Sequence, residues 1–149
     1  MEQEKKCIDL VADRFATQEQ EYKDARKWYE DFETATEGEQ IALRKSSEFQ
    51  GYDYEYYDDY SSWLYNQFLC FDFVAPFTFG EDQKAGYWRL QISWGGPSSE
   101  FRIYVDENIN ICAVEYWYLD WYDGAYVDVD ENSESFYICE DFIESNARY

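Results

Sequence analysis

Histidine is absent from this 149-residue chain, and cations are scarce: 12 Lys and Arg stand against 33 Asp and Glu, for a formal net charge of −21. Without histidine, the commonest general base and the commonest metal ligand are missing. The four cysteines, Cys7, Cys70, Cys112 and Cys139, are widely spaced and form no C-x-x-C pair. No zinc site is therefore expected, and the thiols read as buried and free, the usual state in a reducing compartment. No G-x-S-x-G, Walker or G-x-G-x-x-G pattern occurs, which leaves no nucleophile elbow and no phosphate cradle. A run of about 18 apolar residues is missing too, so no span of a bilayer is expected. The polar start Met1-Glu2-Gln3-Glu4-Lys5-Lys6 does not read as a secretory signal. These absences predict a cytoplasmic protein with no membrane partner, repelled from anionic lipid by its own charge.

A small domain needs a net charge of only about 2 to 8 for solubility. A charge of −21 goes far beyond that and destabilises the compact state by self-repulsion. Disorder does not explain it. Hydrophobic residues make up 46% of the chain and aromatic residues 22%, with 16 Tyr, 11 Phe and 6 Trp, whereas disordered acidic tails are poor in both. The length predicts one domain, 1–149, that buries roughly two thirds of its unfolded surface.

Along the chain the periodicity changes once. Residues 1–71 read as helical. Ile8, Val11, Phe15, Gln18, Tyr22, Ala25, Tyr29 and Phe32 recur in steps of three and four, which lines one face of a long helix. Glu19, Lys23, Asp24 and Lys27 fall on the opposite, charged face. Thr36 to Gly38 breaks the pattern, and a short helix is expected over Glu39 to Glu48. If Tyr52 to Phe71 is helical, Tyr56, Tyr60, Trp63, Leu64, Gln67 and Phe71 share one side.

From Phe73 onward the period is two. Trp88, Leu90, Ile92 and Trp94 alternate with polar residues as a half-buried strand should. Gly95-Gly96-Pro97-Ser98 signals a turn. Phe101, Ile103 and Val105 mark a second strand, Ile111 to Trp121 a third, and Ala125 to Val129 a fourth after a turn at Asp123-Gly124. Asn132 or Ser133 can cap a last helix that turns Phe136, Cys139 and Ile143 inward. The expected fold class is α+β: N-terminal helices packed on a four-stranded antiparallel sheet (86–130) with a C-terminal helix (132–145). In this arrangement Trp88, Trp94, Trp117 and Trp121 read as core, and Arg89 and Arg102 as partners of sheet carboxylates such as Glu115.

Charge follows this division. Residues 1–45 hold 12 acids and 8 bases, a net of −4, and residues 46–149 hold 21 acids and 4 bases, a net of −17. Duplex DNA carries about one charge per 1.7 Å of axis, so 21 charges correspond to roughly 36 Å of duplex. A compact domain of this length is roughly 38 Å across. Carboxylates held on such a surface match the linear charge density of the duplex and offer no backbone to cut. The candidate phosphate surrogates are Asp53, Glu55, Asp58 and Asp59, then Asp106, Glu107, Asp120, Asp123, Asp128, Asp130, Glu131, Glu134, Glu140, Asp141 and Glu144. Tyr54 and Tyr57 belong to the same partner surface.

In size, acidity and aromatic content the chain resembles the phage- and plasmid-encoded DNA-mimic proteins that inhibit restriction enzymes or CRISPR effectors. The stretches Leu90-Gln-Ile-Ser-Trp-Gly-Gly-Pro-Ser-Ser-Glu-Phe-Arg-Ile-Tyr104 and Glu115-Tyr-Trp-Tyr-Leu-Asp-Trp-Tyr-Asp-Gly-Ala125 also look like small mobile-element proteins. The resemblance implies a nucleic-acid-mimicking inhibitor in the host cell of a phage or plasmid. Its partner would be a basic nucleic-acid-binding defence protein of the host, with no direct binding of nucleic acid, and homodimerisation stays open. The same electrostatics would serve an immunity or antitoxin protein that neutralises a cationic toxin. A carbohydrate-binding or hydrolytic module is the third reading, since Tyr and Trp stack on sugars.

Catalysis is not expected. Carboxylate pairs such as Glu115 with Asp120 or Asp123 could flank a sugar, but with 33 acids some such pair arises by chance, and no catalytic residue is assigned. Asp128-Val-Asp-Glu-Asn132 hints at calcium, yet the required glycine is Ser133 and the twelfth position Cys139, so the EF-hand match fails. No metal ligand and no cofactor is assigned.

Overall fold

A computed structural model describes residues 6–45 and 59–147 of the chain. Among these, residues up to Glu19 and from Phe68 onward form one compact unit, and residues between Gln20 and Gln67 form another. The class is α+β, with helices α1 (Cys7–Thr34), α2 (Glu37–Lys45), α3 (Tyr60–Tyr65) and α4 (Glu134–Asn146). Five strands lie between α3 and α4: β1 (Cys70–Val74), β2 (Tyr87–Ser93), β3 (Ser98–Val105), β4 (Ile111–Asp120) and β5 (Asp123–Asp128). They pair antiparallel in sequence order, the meander that short consecutive connections favour.

The sheet therefore has five strands where four were expected, and the extra one is β1. The helix projected through Phe71 stops at Tyr65. Phe71 and Phe73 then point to one side of β1, where both rings meet Trp88, while Asp72 points to the other and pairs with Arg89. Pairing with β2 thus decides a segment whose apolar residues also fit a helical stripe.

In the first unit, one face of the sheet carries the core. Leu90, Phe101 and Ile103 are fully buried there, with Val114 and Tyr116 beside them. Phe15 of α1 meets Tyr116 at 5.4 Å between centroids, and Phe142 of α4 meets Phe71 at 5.7 Å. Each such side chain stabilises the fold by roughly 1.5–3 kcal/mol on burial. Ser133 caps α4, its Oγ accepting the Phe136 N–H at 3.1 Å. Ser135, Ile138, Cys139, Phe142 and Ile143 are its buried residues.

Glu19, placed on the charged face by periodicity, is instead buried. Its Oε1 accepts the Ser135 N–H at 2.8 Å and the Ser135 hydroxyl at 2.6 Å, and its Oε2 accepts the Glu134 N–H at 3.0 Å. The carboxylate satisfies the otherwise orphaned first amides of α4 and sits at the positive end of that helix.

Two local features redirect side chains. A bulge in β2 changes the register from Gln91↔Glu100 to Ser93↔Ser99, which re-aims the residues that follow it. Trp94 consequently leaves the core alternation. The β4–β5 turn falls at Trp121-Tyr122, between the paired Asp120 and Asp123, and not at Asp123-Gly124. Gly124 serves close packing: a Cβ there would lie 2.8 Å from Leu119 Cδ2.

In the second unit, Tyr22, Ala25, Trp28, Tyr29 and Phe32 of α1 are buried with Trp63 and Leu64 of α3. Trp28 stacks on Phe32 at 5.3 Å and Tyr60 on Trp63 at 6.0 Å. Thr36 opens α2 through its hydroxyl, which accepts the Glu39 N–H at 3.3 Å and donates to the Glu39 carboxylate at 2.9 Å, a side-chain cap of the Thr-x-x-Glu type. That cap starts the helix at Glu37, two residues before the expected position.

The cysteines are free thiols, as read, but only Cys7 and Cys139 are buried; Cys70 and Cys112 are exposed. No helix among the described residues is long and apolar enough to cross a membrane.

Candidate functional site

Of the acids proposed as phosphate surrogates, Asp53, Glu55 and Asp58 lie outside the described residues, as do Tyr54 and Tyr57. Asp59 caps α3, accepting the Ser62 N–H at 2.8 Å. Several others are engaged in shaping turns. Asp106 accepts the Asn108 and Asn110 N–H groups at 2.9 Å each, and these bonds hold its carboxyl below the usual aspartate range, the Asn110 amide most of all. Asp130 accepts the Asn132 N–H at 2.7 Å. Asp123 accepts the Cys7 N–H at 2.8 Å and so caps α1 from the β4–β5 turn. That bond is the main cause of its lowered carboxyl pKa.

Glu134 opens α4, its N–H donating to Glu19 Oε2 at 3.0 Å; seven other surrogates are not tied down in this way. The side chains of Glu107, Asp120, Asp128, Glu131, Glu140, Asp141 and Glu144 enter no hydrogen bond or ion pair among the described residues. Asp123 and Asp128 mark the two ends of β5, about 17 Å apart at the rise of a strand. Glu107, Asp130 and Glu131 lie beyond the Asp128 end, whereas Asp120 sits beside Asp123. Glu140 and Glu144 stand one turn apart on α4, about 6 Å along its axis. Asp128 lies directly opposite Glu115, a like-charge pair that adds to the local field.

The face of the sheet turned away from α4 is different. Arg89 grips Asp72 through two bonds, Nε to Oδ1 at 3.0 Å and Nη2 to Oδ2 at 2.7 Å. Arg102 Nε donates to Glu100 Oε2 at 2.9 Å, and its guanidinium lies 3.9 Å from the Trp117 ring centroid and 4.9 Å from that of Tyr87. Both arginines thus pair with sheet carboxylates, though neither takes Glu115. Glu115 Oε1 instead accepts Tyr104 OH at 3.1 Å and Trp117 Nε1 at 3.0 Å. Burial, together with the charge of Glu115, pushes the Tyr104 phenol well above its ordinary value.

This floor opens into a cleft whose walls periodicity had assigned to the core. Trp88 is buried as expected, but Trp94 is 75% exposed and Trp121 is 90% exposed. Between these two indoles and Gly95-Gly96 lies a space of about 330 Å³. It adjoins one of about 360 Å³ that reaches past Phe79 and Leu119 to Arg89, Gln91, Glu100 and Arg102. A third depression, of about 450 Å³, lies where Trp121 meets Tyr122, Lys6, Asp120 and Asp123. Trp121 has φ of 56°, a left-handed conformation that bulky residues rarely adopt.

The cleft joins Trp94-Gly95-Gly96 to Asp120-Trp121, so the two stretches likened above to mobile-element proteins are neighbours in space. The surrogates Asp120 and Asp123 border it. Its indoles and polar floor were missed as a site. The available signals were a turn sequence directly after Trp94 and a second tight turn at Trp121-Tyr122. Among the described residues no group of three or more Cys, Asp or Glu converges as a metal site. Comparison with protein-family models, curated proteins and solved structures finds no match.

Proposed function

We propose that this chain is an acidic inhibitor that occupies the nucleic-acid-binding surface of a basic protein, of the CRISPR-effector or restriction-enzyme kind, in the cytoplasm of a phage or plasmid host. The observation that carries the reading is the stretch 103–147, which holds 12 acids and neither Lys nor Arg. It runs from the end of β3 through β4, β5 and α4, so one continuous part of the first unit presents carboxylates with no cation of its own to neutralise them. Several of those carboxylates are held by backbone amides, which preorganises the field that a phosphate-seeking groove would meet.

The test is displacement of labelled duplex DNA from purified restriction enzymes and CRISPR effectors. Loss of the DNA complex as this protein approaches stoichiometry with one of them is expected. DNA binding undiminished across the whole panel would remove the reading. A second reading, an immunity protein directed at one cationic toxin, is favoured by the exposed pair Trp94 and Trp121, since aromatic anchors suit a single specific partner. Protection against one such toxin, with no effect on DNA binding by the panel, would select it.

A further inference from the structure

The floor of the aromatic cleft keeps hydrogen-bonding capacity that the fold does not use. Gln91 is 5% exposed and Glu100 is 4% exposed, and both line the cleft. Gln91 Oε1 accepts the Cys70 thiol at 3.2 Å and Glu100 Oε2 accepts Arg102 Nε at 2.9 Å. Gln91 Nε2, Glu100 Oε1 and the terminal nitrogens of Arg102 have no protein partner among the described residues. These donors and acceptors reach the solvent of the cleft, and a few convergent polar groups beneath aromatic walls are what a small-molecule site offers to a ligand.

The chemistry of that ligand follows from charge and shape. A net charge of −21 repels an anion. The floor itself is balanced, Arg89 with Asp72 and Arg102 with Glu100, so no charge of either sign is left over there for an ionic ligand to neutralise. A neutral ligand remains. It must offer donors to Glu100 and acceptors to Gln91 and Arg102 along its edge, with a flat apolar face for the indoles. A sugar ring meets all of these conditions.

Trp121 borders all three adjoining depressions, which suits a chain of several rings more than a single small molecule. Single-stranded nucleic acid also offers successive rings, but its phosphates are excluded by the field. Trp121 and Tyr122 occupy a two-residue hairpin loop, where Gly, Asn and Asp are favoured. Trp121 holds a positive φ there while its indole is nearly fully exposed, so packing does not account for its presence.

We infer that this cleft binds a neutral oligosaccharide, with rings stacked on Trp94 and Trp121 and hydroxyls bonded to Gln91, Glu100 and Arg102. The site is independent of the inhibitor reading, because its test involves no DNA and no protein partner. The full chain is titrated with neutral gluco-, xylo-, manno- and chito-oligosaccharides and, separately, with adenosine, guanosine and uridine, following tryptophan emission and heat. Saturable binding of at least one sugar series is expected, tightening with chain length. Trp94→Ala and Trp121→Ala should each weaken it about tenfold, the order of one lost stacking contact. Trp121→Phe should recover part of the loss, and Gln91→Leu should weaken binding with melting temperature near that of the parent. Three results would overturn the inference: no sugar binding up to about 10 mM, sugar binding indifferent to both tryptophan substitutions, or tighter binding of a nucleoside than of every sugar.

Discussion

Asp123 was read as a surface charge and is an α1 cap, and the difference has a pH signature. Its carboxyl sits below the ordinary aspartate value because it accepts the Cys7 amide, so the ionised form is the one that stabilises the fold. That contribution is in place above the unfolded value of about 4 and is lost as the pH falls through the lower folded value. Asp123→Asn, which imitates the protonated side chain, should melt below the parent at neutral pH, with the gap closing under acid. Thermal melts of both proteins from neutral pH downward would show this, and a gap that does not narrow under acid would disprove the charged cap. Residue types alone gave no hint of the cap, since Cys7 and Asp123 are 116 positions apart. Trp94 and Trp121 were misread for a related reason: their spacing continues the alternation of β2 and β4, and the bulge and the turn that eject them arise from strand pairing.

Among the elements, α1 and α4 were legible because a period near 3.6 and a capping serine are local signals. β1 was not, because Phe71 belongs equally well to a helical stripe and to an alternating strand until Trp88 is available to pack against. The link between α1 and α4 was also hidden, since Glu19 lies in a run of charges that reads as solvated. Removing that carboxylate strands the Ser135 amide and hydroxyl and the Glu134 amide, two of these donors being buried. Glu19→Ala should therefore cost about 3–5 kcal/mol. Urea denaturation would measure it, and a loss below about 1 kcal/mol would mean that water replaces the carboxylate without strain.

For the whole molecule, composition revealed the field but not its layout. The acids divide between those that bind amides and those that face solvent alone, and only coordinates separate the two. If the unbound group steers a basic partner, association should slow steeply between about 0.05 and 0.5 M salt as the Debye length shrinks. Neutralising Asp128, Glu131, Glu140 and Glu144 together should lower the association rate more than it raises the dissociation rate. Stopped-flow mixing with the displaced defence protein would measure both, and rates indifferent to salt would assign the contact to apolar surface.

The β5 edge has a further consequence. An unpaired strand offers a ladder of free backbone groups to any other strand, and pairing of copies along such borders is a common route to fibres. Here that border carries Asp123 and Asp128 at its two ends, with Asp130 and Glu131 just past it, so two molecules approaching along it bring like charges together. The same carboxylates that would draw in a basic stranger weigh against edge-to-edge pairing of two copies along this border.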